Sequence, residues 1–192
     1  HPLSKASVWE MPTKPANIED DEVRQSYKRL SAEAHNARRA YMRSKHVRTS
    51  INMKMAEMFK DKEFYLPWSF DYRGRAYPIP SFLTPHDTDF GKSLIRFHQE
   101  AFMTPEAEHW LAFQVATTYG LDKSTMEERQ EWVKENEHLI AHVSIDPIAC
   151  LPLWEGVDEP WQFLAACDEY YHCVINKDRK ATGLPVAVDA TA

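Results

Sequence analysis

A short aromatic-rich stretch is the feature that most limits how this chain folds. Residues 64–83 hold aromatic and β-branched side chains, and the stretch is broken by Pro67, Gly74, Pro78 and Pro80. Proline removes a backbone donor and glycine weakens helices and strands alike, so no long element is expected to pass through it. The sequence therefore predicts short strands and turns here.

The centre of this stretch, Phe-Asp-Tyr-Arg-Gly-Arg-Ala-Tyr-Pro at residues 70–78, places two arginines and a carboxylate around a glycine. Arg73 and Arg75 each carry a planar fork of donors that suits a phosphate, and Gly74 lets a polymer approach the backbone closely. We expect Asp71 to hold one of the guanidinium groups in place. A surface turn with one salt bridge fits the same residues, so the motif alone is weak.

The end of the chain carries a second informative run, Pro-Val-Ala-Val-Asp-Ala-Thr-Ala at residues 185–192. It is apolar and β-prone, and it delivers one carboxylate, Asp189, followed by small residues. The run predicts a buried strand with Asp189 at its tip, where a neighbouring backbone carbonyl is exposed as a second oxygen ligand for a metal ion. An aspartate that ends a strand and caps the next element fits equally well.

Two helical stretches are predicted before residue 61. The acidic residues at 19–22 suit the start of a helix that continues through Arg39 or beyond. The second stretch is clearer, because five apolar residues fall on one face at helical spacing: Val47, Ile51, Met55, Met58 and Phe59. Lys45, Arg48 and Asn52 fall on the neighbouring face, which is either a nucleic-acid contact or an ordinary solvated face.

More helices are predicted in the second half of the chain. Thr104 is a good N-cap with Pro105 at the first helical position, and the helix is expected to end near Gly120. Further helical segments are predicted within residues 124–143 and 161–174. The predicted fold class is therefore α+β and mainly helical.

Charge is distributed unevenly along the chain. The formal net charge is −6, which argues against a generic nucleic-acid coat. Basic residues nevertheless outnumber acidic ones between residues 24 and 75, and the reverse holds from 100 to 169, so the first half suits the lining of a nucleic-acid channel. The apolar runs are far shorter than the ~20 residues of a membrane span, and no membrane partner is expected.

Taken in this order, the two motifs resemble those of the single-subunit RNA polymerases of phages and mitochondria. In that family, one strand carries Asp-x-Arg-Gly-Arg-x-Tyr and a later strand ends in Asp-Gly-Ser or Asp-Ala-Thr, as residues 71–77 and 189–191 do here. Three further segments resemble the family: residues 66–69, 89–94 and 159–165. The amino-acid sequences of the motifs are most similar to those of marine podovirus polymerases, which are cyanophage-like enzymes.

The resemblance implies an internal fragment of a right-hand polymerase, containing the end of the thumb and the first part of the palm. Residues 1–61 are then a thumb-like helical segment. Residues 62–192 are the N-terminal part of the palm, with a helical insertion at about 100–176. Because the second catalytic aspartate and the fingers are expected beyond the end of this sequence, the isolated fragment is expected to be inactive.

The implied activity is that of a DNA-directed RNA polymerase, which transfers nucleotides from ribonucleoside triphosphates to an RNA 3′-hydroxyl. The family uses two Mg²⁺ ions, ~3.5–4 Å apart in such sites. By resemblance, Asp189 is the catalytic carboxylate that bridges both ions, and the backbone carbonyl of Ala190 completes one coordination sphere.

The resemblance also implies a set of nucleic-acid-binding residues: Asp71, Tyr72, Arg73, Arg75, Lys92, Lys45 and Arg48. The implied partners are a DNA template and promoter, the RNA product and ribonucleoside triphosphates, and the full-length enzyme is expected to be monomeric. A phage-encoded enzyme acts in the cytoplasm of the infected bacterium; a mitochondrial or plastid location is the alternative.

Two other functions fit parts of the sequence. One is the palm of an A-family DNA polymerase, which shares the metal chemistry but lacks the Asp-x-Arg-Gly-Arg strand. The other is a non-catalytic basic helical module that binds nucleic acid.

Overall fold

The computed structural model describes residues 11–188 of the 192-residue chain. Asp189 and Ala190, the predicted metal ligands, lie outside the described residues. The chain divides into two units, one ending at Lys54 and one beginning at Met55. Most described residues in regular structure are helical and a few form short strands, so the predicted α+β, mainly helical class is confirmed.

One long helix dominates the first unit. This helix, α1, runs from Asp21 to Phe59, with Asp21 and Glu22 in its first turn. The sequence predicts two helical stretches, and the structure instead has a single helix. The helix is continuous because no glycine or proline occurs between residues 21 and 59.

The predicted apolar face of α1 is only partly right. Val47 and Met58 belong to that face, yet they are 48% and 57% exposed. On the neighbouring face, Arg48 is half-buried and Asn52 is fully buried. The buried side of the helix is therefore rotated from the side that hydropathy alone indicates.

A β-hairpin follows α1. Its strands are β1, Trp68–Phe70, and β2, Ala76–Pro78, which pair antiparallel with Trp68 opposite Pro78 and Phe70 opposite Ala76. The predicted short strands and turn are confirmed. A short helix, α2, Asp89–Ser93, comes next and is capped by the side chain of Thr88.

The rest of the second unit is a helical module. Its helices are α3, Pro105–Tyr119; α4, Met126–Glu135; α5, Glu137–Ile145; α6, Leu151–Trp154; and α7, Pro160–Tyr170, which continues into a π-helical turn, Tyr171–Ile175. The predicted limits of α3 are confirmed, because the Thr104 hydroxyl accepts a hydrogen bond from the Ala107 N–H at 3.2 Å and Gly120 ends the helix with φ +127°.

The core of this module lies between α3, α4, α5 and α7. Its largest apolar side chains are at most 1% exposed: Phe163, Leu111, Ile140, Val115, Val133 and Val143. Tyr119 packs between Trp132 and Phe163, with ring centroids 4.3 and 5.6 Å away. Three helices therefore share one aromatic cluster, which fixes the positions of α3, α4 and α7 relative to one another.

A second pair of strands closes the module. These strands, β3, Ala101–Phe102, and β4, Ala181–Thr182, pair antiparallel and bring together the two ends of the helical segment. Just after β4, the Phe97 N–H donates a hydrogen bond to the Gly183 carbonyl at 2.8 Å. A Cβ atom on Gly183 would lie 2.5 Å from the Phe97 carbonyl oxygen, so this close approach requires glycine.

The predicted strand at 185–188 is wrong within the described residues. Residues 183–188 form no strand, and β4 ends at Thr182. The physical reason is that a strand needs a hydrogen-bonded ladder. Pro185 has no N–H to offer, and the Ala187 N–H donates to a side chain instead.

Candidate nucleic-acid interface

The tip of the β1–β2 hairpin is a tight turn organised by one carboxylate. Oδ1 of Asp71 accepts the backbone N–H groups of Arg73 at 2.8 Å and Arg75 at 2.9 Å. The backbone of the turn is closed by the Gly74 N–H, which donates to the Asp71 carbonyl at 3.0 Å. Gly74 has φ +76°, a conformation that side chains disfavour, so the turn needs a glycine there.

This geometry corrects the expected role of Asp71. Its carboxylate holds the backbone of the two arginines and not a guanidinium group. Within residues 11–188, neither Arg73 nor Arg75 forms an ion pair, and the guanidinium of Arg73 lies 5.2 Å from the ring centroid of Tyr72. Both arginines are exposed, and Tyr72 is 89% exposed. The turn therefore presents two cations on a fixed backbone.

Aromatic side chains lie along the hairpin and just before it. Phe70 and Tyr65 are 75% and 82% exposed. The rings of Trp68 and Tyr77 meet His86 edge-on, with ring centroids 5.9 and 5.7 Å away. No sequence motif links His86 to the hairpin, and its position beside the two rings is seen only in the structure.

Two of the segments that resemble the polymerase family meet in space. The carboxylate of Asp89 accepts the backbone N–H groups of Trp161 at 2.9 Å and Gln162 at 3.0 Å, at the start of α7. Beside them, the Phe90 and Trp161 rings pack edge to face with centroids 5.2 Å apart. Segments 89–94 and 159–165 are therefore in direct contact.

Lys92, a predicted phosphate ligand, lies at the edge of this contact between the two segments. Its ammonium group is 3.9 Å from a carboxylate oxygen of Glu159, and its side chain is 36% exposed. Such a long, partly exposed ion pair is worth ~0–1 kcal/mol, so it is easily exchanged for a phosphate. The pair borders a groove of about 310 Å³ that is also lined by Gln114, Gln162 and residues 184–187.

The run that leads to Asp189 passes along this groove. The Ala187 N–H donates a hydrogen bond to Oε1 of Gln114 at 3.2 Å, and Gln114 is only 3% exposed. The Leu184 N–H donates to the Thr182 hydroxyl at 3.1 Å. The described chain is therefore held in place up to two residues before Asp189.

An ion network is centred on a buried carboxylate of α7. Glu169 is fully buried and receives two hydrogen bonds from the Arg96 guanidinium, both 2.8 Å long, and a third from Arg179. Burial raises the pKa of Glu169, but hydrogen bonds from Arg96 and Thr182 and the two guanidinium charges outweigh it, so the pKa lies below its usual value of 4.5. The network joins α7 to the segments that precede β3 and β4.

The sequence comparisons agree with the motifs. A family model described as DNA-dependent RNA polymerase matches residues 102–192. The mitochondrial DNA-directed RNA polymerase of Neurospora crassa is 29% identical over 186 residues, which are 96% of this chain and 13% of that protein. T7 RNA polymerase of Escherichia phage T7 is 29% identical over 188 residues, which are 95% of this chain and 20% of that protein.

This chain belongs to the phage and mitochondrial RNA polymerase family. The mitochondrial enzyme of Schizosaccharomyces pombe, another relative, is 30% identical over 144 residues, 74% of this chain and 12% of that protein. The chain thus spans a fifth or less of the length of these curated relatives. The matches favour an RNA polymerase over an A-family DNA polymerase or a non-catalytic module. Closeness to marine podovirus enzymes stays a prediction.

Two residues of the predicted polymerase interface lie in α1. The ammonium group of Lys45 is 4.7 Å from the ring centroid of Tyr41, and Arg48 is half-buried. Residues 34–56 contain no aspartate or glutamate and six basic residues: Arg38, Arg39, Arg43, Lys45, Arg48 and Lys54. This part of α1 is therefore strongly basic along its length.

No metal centre is formed within the described part of the chain. Within residues 11–188, no three His, Cys, Asp or Glu side chains are placed to hold a metal ion. The oxygen donors predicted for magnesium, the Asp189 carboxylate and the Ala190 carbonyl, are of the kind that Mg²⁺ prefers, and both lie outside that range. None of the described helices is long and apolar enough to cross a membrane.

Proposed function

We propose that this chain is part of a DNA-directed RNA polymerase that transfers nucleotides from ribonucleoside triphosphates to an RNA 3′-hydroxyl. One observation carries the proposal. In a chain of this family, Arg73 and Arg75 are exposed on a rigid turn with no ion-pair partner among the described residues. Two guanidinium groups that are held on a fixed backbone without a carboxylate partner are available to bind the phosphates of a nucleic acid.

The arginines would contact the sugar-phosphate backbone of the template or of the RNA–DNA hybrid. Such contacts position a nucleic acid without reading its sequence. Tyr72 flanks Arg73 and would contact the same strand, whereas Asp71 would act only by shaping the turn. Lys92 would exchange its long ion pair with Glu159 for a phosphate. Lys45 and Arg48 would add contacts from the basic part of α1.

The catalytic group would be Asp189. Its carboxylate would hold Mg²⁺, and the Ala190 carbonyl would supply a further oxygen ligand. When bound, a pair of Mg²⁺ ions stabilises the charge that develops on the attacking and leaving oxygens during nucleotidyl transfer. The chain's own contribution is to hold the carboxylate at one place, and the hydrogen bond from Ala187 to Gln114 supports that role.

Within a complete enzyme, residues 1–61 would be the end of the thumb and residues 62–192 the first part of the palm, with the helical module as an insertion. The partners would be a DNA template with its promoter, the RNA product and ribonucleoside triphosphates, and the enzyme would act as a monomer. A phage enzyme of the marine podovirus kind, acting in the cytoplasm of an infected bacterium, is the origin we propose, with a mitochondrial or plastid enzyme as the alternative.

The test is substitution of Asp189 in the complete polymerase. Asp189→Asn keeps the size of the side chain but removes the charge, so ribonucleotide incorporation on a primed template with magnesium should be abolished. Asp189→Glu should fail nearly as badly, because a displacement of ~1 Å can cost about 100-fold in rate. Gel-shift affinity for the template should stay close to that of the parent in both variants.

Two outcomes would contradict the proposal. If Asp189→Asn extends RNA within tenfold of the parent rate, Asp189 is not the catalytic carboxylate and a non-catalytic role is favoured. If the parent enzyme incorporates deoxyribonucleotides in preference to ribonucleotides, the chain belongs to a DNA polymerase.

A further inference from the structure

The run before Asp189 has a single hydrogen bond that ties it to another element. Among residues 185–188, only the Ala187 N–H donates to a group elsewhere in the described chain, and its acceptor is Oε1 of Gln114 at 3.2 Å. Pro185 has no N–H, and the bond made by Leu184 is local, to Thr182. Among the described residues, the hydrogen bonding of this run to α3 therefore depends on one side chain.

Gln114 is itself fixed. It lies in the middle of α3, is 3% exposed and is flanked by the buried core residues Leu111 and Val115. Burying an amide is unfavourable unless its polar atoms are used. The hydrogen bond to Ala187 uses the oxygen, and the rigid core of the module holds the amide in place, so its acceptor has a defined position.

We propose that Gln114 is a positioning residue for catalysis, which sets where the chain presents Asp189. The inference rests on the proposed catalytic role of Asp189. Only Val188 separates Ala187 from Asp189 in the sequence. We therefore expect a shift of the Ala187 backbone to displace Asp189 as well. A displacement of ~1 Å at a reacting group can cost about 100-fold in rate, so loss of this hydrogen bond is expected to lower the rate of the chemical step.

The same groove contains a matched control. Gln162 also lines the groove, but its amide donates to Asp89 at 3.2 Å and makes no hydrogen bond to the run before Asp189 in the described structure. Substituting Gln114 and Gln162 in the same way therefore separates positioning of the run from general disturbance of the groove.

The experiment uses the complete polymerase. Gln114→Met has a similar volume and no acceptor, and it should lower kcat by ~10–100-fold, with KM for the ribonucleotide and template affinity within about twofold of the parent. The Mg²⁺ concentration that gives half-maximal rate should rise. Gln162→Met should keep kcat within about threefold.

A second variant tests whether misfolding explains a loss of kcat. Gln114→Asn keeps an amide but withdraws it by one methylene, and it should lower kcat with an unfolding temperature close to that of the parent. The inference is overturned if Gln114→Met and Gln162→Met lower kcat equally. It is also overturned if Gln114→Asn keeps the parent kcat and Mg²⁺ dependence.

The two proposals fail differently. Activity in Asp189→Asn removes the catalytic role of Asp189 and with it the basis of this inference. Loss of activity in Asp189→Asn together with parental kinetics in both Gln114→Met and Gln114→Asn removes only the positioning role of Gln114.

Discussion

The carboxylate of Asp89 caps a helix that begins far along the chain, since its Oδ2 accepts the backbone N–H of Trp161, 72 residues later, at 2.9 Å. Helix α7 starts with Pro160 and has no cap from its own preceding residue, Glu159. The unpaired N–H groups at a helix start, together with the helix dipole, favour a carboxylate there. Asp89 thus replaces a local cap with a long-range one.

Substitution of Asp89 should therefore destabilise α7 and its packing against α2. Asp89→Ala should lower the free energy of unfolding by about 0.5–2 kcal/mol, the usual range for loss of a cap. Asp89→Asn keeps an oxygen acceptor and should cost less. Denaturant unfolding followed by circular dichroism measures both. Equal losses in the two variants would show that the charge matters and the hydrogen bonds do not.

Asp71 gives a sharper contrast between charge and hydrogen bonding. Its Oδ1 alone accepts both N–H groups, from Arg73 and Arg75, so Asp71→Asn should preserve the turn and the affinity for template. Asp71→Ala should loosen the turn and weaken template binding. If Asp71 instead orients a guanidinium through its charge, the Asn and Ala variants will show the same loss in a gel-shift titration.

The arginines at the hairpin tip should contribute to the salt dependence of nucleic-acid binding. In the complete polymerase, Arg73→Ala and Arg75→Ala should each flatten the log–log slope of affinity against salt by roughly 0.7 to 0.9, because one phosphate contact is lost. Lys123, an exposed lysine in the helical module, provides the control, and Lys123→Ala should leave the slope unchanged. A parental slope in either arginine variant would rule out a phosphate contact by that arginine.

The buried Glu169 predicts that the free energy of unfolding falls as the pH is lowered into the acid range. Its pKa lies below 4.5 in the folded state, so its stabilising contribution is complete above that pH and is lost as the pH falls through the folded pKa. Glu169→Gln removes the charge that pairs with Arg96 and Arg179, which keep only longer contacts to Glu100 and Asp168, and it should cost about 1–3 kcal/mol at neutral pH. Urea unfolding between about pH 3 and 7 should show a flatter acid dependence in this variant than in the parent. Parallel curves would show that Glu169 does not titrate with folding.

Local signals made parts of the fold predictable. The limits of α3 follow from Thr104, Pro105 and Gly120, whose effects act within one helical turn. The β1–β2 hairpin follows in the same way from prolines and a glycine that limit the backbone directly. Two order-sensitive motifs, at residues 71–77 and 189–191, were enough to indicate the polymerase family.

Only the tertiary structure decided which polar groups meet. The bond from Ala187 to Gln114 joins residues 73 apart, and the pair of Arg96 and Glu169 is equally distant in sequence. The apolar run at 185–192 predicts a strand, but a strand exists only where a second one pairs with it. Within the described residues 185–188, a glutamine side chain accepts the Ala187 N–H instead. Sequence determined the local conformations, because propensity acts over a few residues; long-range hydrogen bonds, which depend on how the helices pack, decided how the run before Asp189 is held.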